Sequence, residues 1–186
     1  MREVDDVLRV VVVGCSCAGK STFGDRLADI LKCPRMELDA LYWGPDWTPR
    51  LPEIFQDTMR KGASGERWVA DGNYKLVREV LWQRATMIVW LNYRFPRVFS
   101  QGLRRTVARV FLRKELWNGN RESFRGSFMS KDSILVWMVT TFSKRRRELA
   151  VLRSSGQFDN VKWLEFTHPR QAEKWLKSLK QNEVVD

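Results

Sequence analysis

Gly14-Cys15-Ser16-Cys17-Ala18-Gly19-Lys20-Ser21, entered from the valine-rich run at residues 8–13, is the stretch that decides the fold. It fits G-x-x-x-x-G-K-[ST] between a strand signal and a helix signal, the context that makes this pattern a phosphate-binding loop. Its glycines let the backbone bend until successive N–H groups face phosphate oxygens, and the following helix N-terminus adds its positive dipole end. On this reading Gly14, Cys15, Ser16, Cys17, Ala18, Gly19, Lys20, Ser21 and Thr22 cradle a nucleotide. Lys20 reaches the β- and γ-phosphates and the Ser21 hydroxyl joins the Mg²⁺ shell, so ATP and Mg²⁺ are the expected cofactors. Cys15 and Cys17 lie where the backbone does the binding, and two thiols are too few for a metal site.

Outward from the loop, the apolar run before it reads as a strand buried on both faces of a parallel sheet. After it, apolar residues at 23, 27, 30 and 31 predict a helix that Pro34 closes. Further strands are expected at 35–38, 67–70, 87–91 and 161–166. Helices are expected at 53–61, 75–83, from Pro96 to about 113, from a cap at Asp132 and Ser133 to about 153, and at 171–179. Residues 40–52 read as a loop carrying Tyr42, Trp43 and Trp47, and residues 114–132 as a mobile insertion. Alternating strands and helices define an α/β protein with a parallel sheet. No repeat or linker divides the 186 residues, so one domain is expected, with a lid-like basic insertion at about 113–133.

Charge is concentrated rather than spread. Residues 94–153 hold 15 basic and 4 acidic side chains, a surplus equal to the +11 of the whole chain. Such a block wants an anionic partner, either polyphosphate or nucleic acid. Nine tryptophans are expected mainly in the core. No secretory leader is visible, and the apolar run at 134–139 is far shorter than the ~20 residues a bilayer needs. Three cysteines without a Cys-x-x-Cys pair suit a reducing compartment. A cytoplasmic protein without a membrane partner is expected.

The candidate chemistry rests on carboxylates and arginines. Glu37 and Asp39 follow Lys20 by 17 and 19 residues, at the end of the second strand and facing the same crevice as the loop. A carboxylate there can take a proton from an attacking hydroxyl or hold water on Mg²⁺. Ser21 and Glu37 are the expected metal-binding residues, and a resemblance to adenylate kinases adds Asp71. No guanine-reading Asn-Lys-x-Asp is present, which argues against a GTPase and leaves the small kinases. His168, the sole histidine, follows the last strand, so nucleophilic chemistry built on histidine is not expected.

The spacing of Asp39 from the loop resembles that in shikimate and gluconate kinases, where a carboxylate at this place meets the acceptor. Asp71-Gly72 looks like the Asp-Gly of adenylate kinases, where the Asp holds Mg²⁺ through water. Leu38-Asp39-Ala40-Leu41-Tyr42-Trp43, Asp71-Gly72-Asn73-Tyr74 and Trp90-Leu91-Asn92 resemble the adenylate-kinase-related DNA topology modulation proteins. So do Glu115-Leu116-Trp117-Asn118-Gly119-Asn120-Arg121-Glu122 and Ser130-Lys131-Asp132-Ser133-Ile134-Leu135. The resemblance implies a nucleoside-monophosphate-kinase-like fold: a five-stranded parallel sheet of order 2-3-1-4-5, flanked by helices, with a short helical lid. It implies a kinase moving the γ-phosphate of ATP to a nucleotide or small hydroxylated acceptor. Lys20, Asp39, Arg105, Arg121 and Arg146 are then catalytic, the arginines clamping phosphate from the lid side. Asp39, Tyr42, Trp43, Asp71, Asn73, Tyr74 and Arg78 are then acceptor-binding. Asn73-Tyr74 replaces the Phe-Pro-Arg that follows Asp-Gly in adenylate kinases, which speaks against AMP. A nucleic-acid-binding ATPase and a non-catalytic nucleotide-binding regulator are the alternatives.

Overall fold

The structure, a computed structural model, describes residues 8–111, 116–120 and 134–183. Strand β1 (Arg9–Gly14) runs into the loop, and helix α1 (Lys20–Leu31) starts at the loop's lysine. Then come β2 (Arg35–Glu37), α2 (Leu38–Tyr42), α3 (Pro52–Gly62), β3 (Trp68–Asp71), α4 (Arg78–Trp82) and β4 (Met87–Leu91). Helix α5 (Phe95–Phe111), helix α6 (Ile134–Ser154), β5 (Lys162–Phe166) and α7 (Pro169–Glu183) complete the order. The five strands are parallel in the order β2-β3-β1-β4-β5, as the resemblance implies.

Strand geometry sends successive side chains to opposite faces, and β1 shows how the layers form. Val10 and Val12 enter a cluster with Phe23 and Leu27 of α1, Leu176 of α7 and Phe142 of α6. Val11 and Val13 enter another with Phe55 and Met59 of α3 and Leu81 and Trp82 of α4. Burial on both faces explains the unbroken valine run. Trp68, Trp82 and Trp90 are buried and Trp163 and Trp175 pack partly buried against the core, but Trp47 and Trp137 are exposed, so fewer tryptophans are core residues than expected. Trp68 is wholly buried, so Trp68→Ala is expected to cost about 3–5 kcal/mol in a urea unfolding experiment.

The register sets up the site. Glu37 of β2 pairs with Asp71 of β3, and Val12 of β1 pairs with the same Asp71, two residues before Gly14. Their carboxyl ends therefore deliver Glu37, Asp71 and Gly14 to one edge of the sheet. Several boundaries differ from expectation, four of them near the site or by more than a residue. Residues 38–42 form a short helix instead of entering a loop, with Asp39 in its first turn where the helix dipole favours a carboxylate. Strand β3 lies one residue later than expected, so Asp71 is its last residue rather than its successor. The helix expected at 75–83 is a 3₁₀ turn, Lys75–Val77, followed by α4. Helix α7 begins at Pro169, two residues earlier, where proline suits the first turn. Of the expected insertion only residues 116–120 are described, with a 3₁₀ turn at Trp117–Gly119. Arg121 and the expected Asp132/Ser133 cap lie outside the described residues.

Candidate active site

The loop closes on itself in the way the glycines permit. Gly19 has φ 90°, a left-handed conformation that other residues adopt at a cost. A Cβ on Gly14 would stand 2.7 Å from the Leu91 carbonyl oxygen, so a side chain there has no room. The Lys20 ammonium donates to the Cys15 carbonyl at 3.3 Å, folded back over the loop it serves. Cys15 and Cys17 are buried and turn away from solvent. The Cys15 thiol meets the Phe142 carbonyl of α6 at 3.7 Å, and burial pushes it up against the pull of Lys20, Arg146 and Arg145. The two thiols seat the loop on the helices behind it.

Asp71 sits at the centre. Its Oδ2 accepts the Ser21 hydroxyl at 3.0 Å, so the two expected metal-holding groups meet directly. Its Oδ1 accepts Arg35 Nε at 3.0 Å. Burial pushes the Asp71 carboxyl up to about 6, against the opposing pull of Arg35, Ser21 and Lys20, with Glu37 adding to the rise. Because this value lies above the ordinary 3.8, the protonated carboxyl stabilises the fold fully below 3.8 and that contribution is lost as pH rises through about 6. Wild type is therefore expected to lose stability relative to Asp71→Asn over that window in urea melts at a series of pH values. An Asn-variant difference that stays flat with pH contradicts this. Glu37, the third expected metal residue, faces Arg35 at 3.3 Å.

The segment after Asp71 ties the parts together. Asn73 uses both ends of its amide on one residue: its Oδ1 accepts from Gly14 N–H at 3.3 Å and its Nδ2 donates to the Gly14 carbonyl. The Tyr74 hydroxyl donates to Asp39 Oδ1 at 2.7 Å, and burial followed by the Asp39 charge pushes its own ionisation upward. The stretch from Asp71 to Tyr74 thus touches the expected metal residue Ser21, the mouth of the phosphate loop and the expected acceptor carboxylate. Around Asp39 an aromatic wall forms. Tyr42 packs on Trp43, Phe55 and Tyr74 with ring centroids 4.9, 5.2 and 4.6 Å away. Trp43 meets Trp47, and Trp47 meets Trp117.

Asn118 and Asn120 hold that last tryptophan's turn in place. Asn120 accepts from Trp47 N–H at 2.9 Å and donates to the Gly44 carbonyl at 2.8 Å, while Asn118 donates to the Trp43 carbonyl. A piece of the insertion is thereby stapled to the loop beside Asp39. The sequence gives no signal that marks either asparagine as a site residue, because the partners lie more than 70 positions away.

The arginines divide. Arg146 lies within electrostatic reach of Cys15, and Arg145 too, although Arg145 also pairs with Glu148 at 3.2 Å. Arg105 is half-buried, and its Nε is buried without a hydrogen-bond partner among the described residues. Helix α5 passes directly over the loop. Gln101 Nε2 overhangs Gly19, where a Cβ would come within 2.9 Å, and Gly102 lets the helix approach Cys17. Arg78 is turned elsewhere, donating to Glu148 at 2.7 Å and covering the Trp82 ring at 5.3 Å. It lines a cavity of 280 Å³ with Gln56, Arg60 and Lys75 that includes no residue of the phosphate loop, nor Asp39 or Asp71. Thr22 follows Ser21 in the first turn of α1.

No protein-family model matches the chain, and no curated protein matches it. Solved structures do. The shikimate kinase of Acinetobacter baumannii in complex with shikimate is 16% identical with a TM-score of 0.53, over 97% of this chain and 95% of that one. The shikimate kinase of Bacteroides thetaiotaomicron is 14% identical with a TM-score of 0.52, over 94% and 97%. A gluconokinase from Sinorhizobium meliloti 1021 is 18% identical with a TM-score of 0.50, over 97% of each chain. At such identities the likeness is one of fold. The chain has the P-loop, nucleoside-monophosphate-kinase-like fold of these kinases. None of the three is a DNA topology modulation protein, so that resemblance rests on the sequence segments alone. Among the described residues no helix is long and apolar enough to cross a membrane.

Proposed function

We propose that the chain is an ATP-dependent phosphotransferase that moves the γ-phosphate onto a small acceptor held against Asp39. The observation that carries this is the bracket formed by Asp71, Asn73 and Tyr74, which joins Ser21, Gly14 and Asp39 in one hydrogen-bonded set. A switch or binding module has no need to tie a donor site to a carboxylate across a crevice. A transferase does, because reacting groups must be held in line.

The residues suit Mg-ATP. The backbone cradle at a helix N-terminus, Lys20 at its end and the Ser21–Asp71 pair match a polyphosphate with its cation. Ser21 and Asp71 are the residues that would hold Mg²⁺, which when bound would neutralise charge on the phosphate oxygens. Lys20 stabilises the charge that builds on the transferred group, and Arg146 of α6 stands within electrostatic reach of the same loop, where it can share that task. Asp39 orients the acceptor and takes its proton if the acceptor is a hydroxyl. Tyr42, Trp43 and Trp47, with Trp117 edge-on to Trp47, form a wall suited to a flat ring or the face of a sugar. The test is ADP release from Mg-ATP across nucleoside monophosphates, nucleosides and hydroxylated metabolites. One acceptor class should raise release well above the water background. A flat panel, despite Mg-ATP protecting the protein from heat, counts against transfer to a small acceptor.

A further inference from the structure

Helix α1 carries a glycine, Gly24, inside its second turn, where helix propensity favours alanine. The space it leaves is used. A Cβ there would lie 3.2 Å from Asp71 Oδ1 and 3.3 Å from Arg35 Nε. The helix gives way to an ion pair that no local sequence pattern announces.

Arg35 is the cation of that pair, with a side chain only 17% exposed. Three carboxylates surround it. Asp71 Oδ1 lies 3.0 Å from Nε and 2.9 Å from Nη2, while Nη1 reaches Asp25 at 2.5 Å and Glu37 at 3.3 Å. One positive charge thus stands among three negative ones, on the flank of Asp71 opposite Ser21. Without it the acids would repel one another and invite a metal ion into their midst. Among the described residues no three acidic, cysteine or histidine side chains stand close enough to hold a metal, and the guanidinium is the group that lies between these three.

We propose that Arg35 is a positioning residue of the Mg-ATP site, a fixed internal cation that claims one oxygen of Asp71 and leaves the other beside Ser21. Divalent metal then binds with the nucleotide and not ahead of it. The inference rests on the reading of Ser21 and Asp71 as the Mg²⁺-holding pair. It assigns the first residue of β2 a part in metal order that does not require contact with substrate.

The test is Mn²⁺ binding without nucleotide, followed by electron paramagnetic resonance on the full chain, for wild type, Arg35→Gln and Arg35→Lys. Protection by Mg-ATP against heat is measured on the same samples. Arg35→Gln keeps a hydrogen-bond donor for Asp71 but removes the charge, and it should gain nucleotide-free Mn²⁺ affinity by about tenfold or more. Arg35→Lys restores the charge and should bind as weakly as wild type, a rescue that loss of packing alone would not give. A folded Arg35→Gln with wild-type Mn²⁺ affinity overturns the proposal and leaves the kinase reading untouched. If Arg35→Gln does not fold, wild type decides alone. Metal affinity without ATP within about tenfold of that with ATP overturns the proposal. Failure of Mg-ATP to protect wild type would overturn the kinase reading and this role with it.

Discussion

Lys20→Ala is expected to slow acceptor-dependent ATP turnover by about 10²–10³-fold while leaving the fold in place. The ammonium is aimed at the loop it would serve, donating to the Cys15 carbonyl of that same loop. Removing it forfeits charge stabilisation that develops only as the phosphoryl group moves. Structurally it forfeits little, since Lys20 is half-exposed, and changes of that kind are usually worth within about 0.5 kcal/mol. The decisive comparison is kcat against melting temperature. A large fall in kcat with an unmoved melting curve supports the assignment; a collapse of both would show Lys20 to be a structural residue of the loop.

Asp39→Asn should have the next largest effect, about 10²–10⁴-fold in kcat if the acceptor is a hydroxyl. The amide still accepts the Tyr74 hydroxyl, so the bracket of hydrogen bonds survives and the loss belongs to proton transfer. If Asp39 instead only grips the acceptor, KM rises and kcat holds. The two kinetic constants therefore separate a general base from a binding group. Tyr74→Phe serves as the control, because it frees the carboxylate without changing its charge.

Much of the fold and part of the site are legible in the residues themselves. The valine run, the glycine spacing and the lysine announce strand, loop and helix, because that local pattern is itself the cause of the local geometry. Asp71 is legible because an Asp-Gly at a strand end marks where the chain leaves the sheet, and the register does bring it to Ser21. Less legible is what depends on remote neighbours. The motif points Asn73 at the acceptor, yet both ends of its amide are engaged by a backbone 59 residues earlier. Arg78 is expected beside the acceptor too, yet Glu148 and the Trp82 ring engage it. Arg35 reads as an ordinary strand residue, and only the packing of α1 against β3 reveals the gap that Gly24 leaves for it. Charge counting locates the basic segment but not its division. Arg146 lies within electrostatic reach of the loop's Cys15, whereas Arg147 donates to the Ser143 carbonyl of its own helix.

Transfer of labelled phosphate from γ-labelled Mg-ATP, with the products separated into labelled acceptor and free phosphate, tests the central claim most directly. A kinase puts label on the acceptor, in proportion to ADP formed, and none with Lys20→Ala. Label appearing only as free phosphate, at a rate indifferent to every acceptor, would contradict the claim and leave a nucleotide hydrolase in place of a kinase.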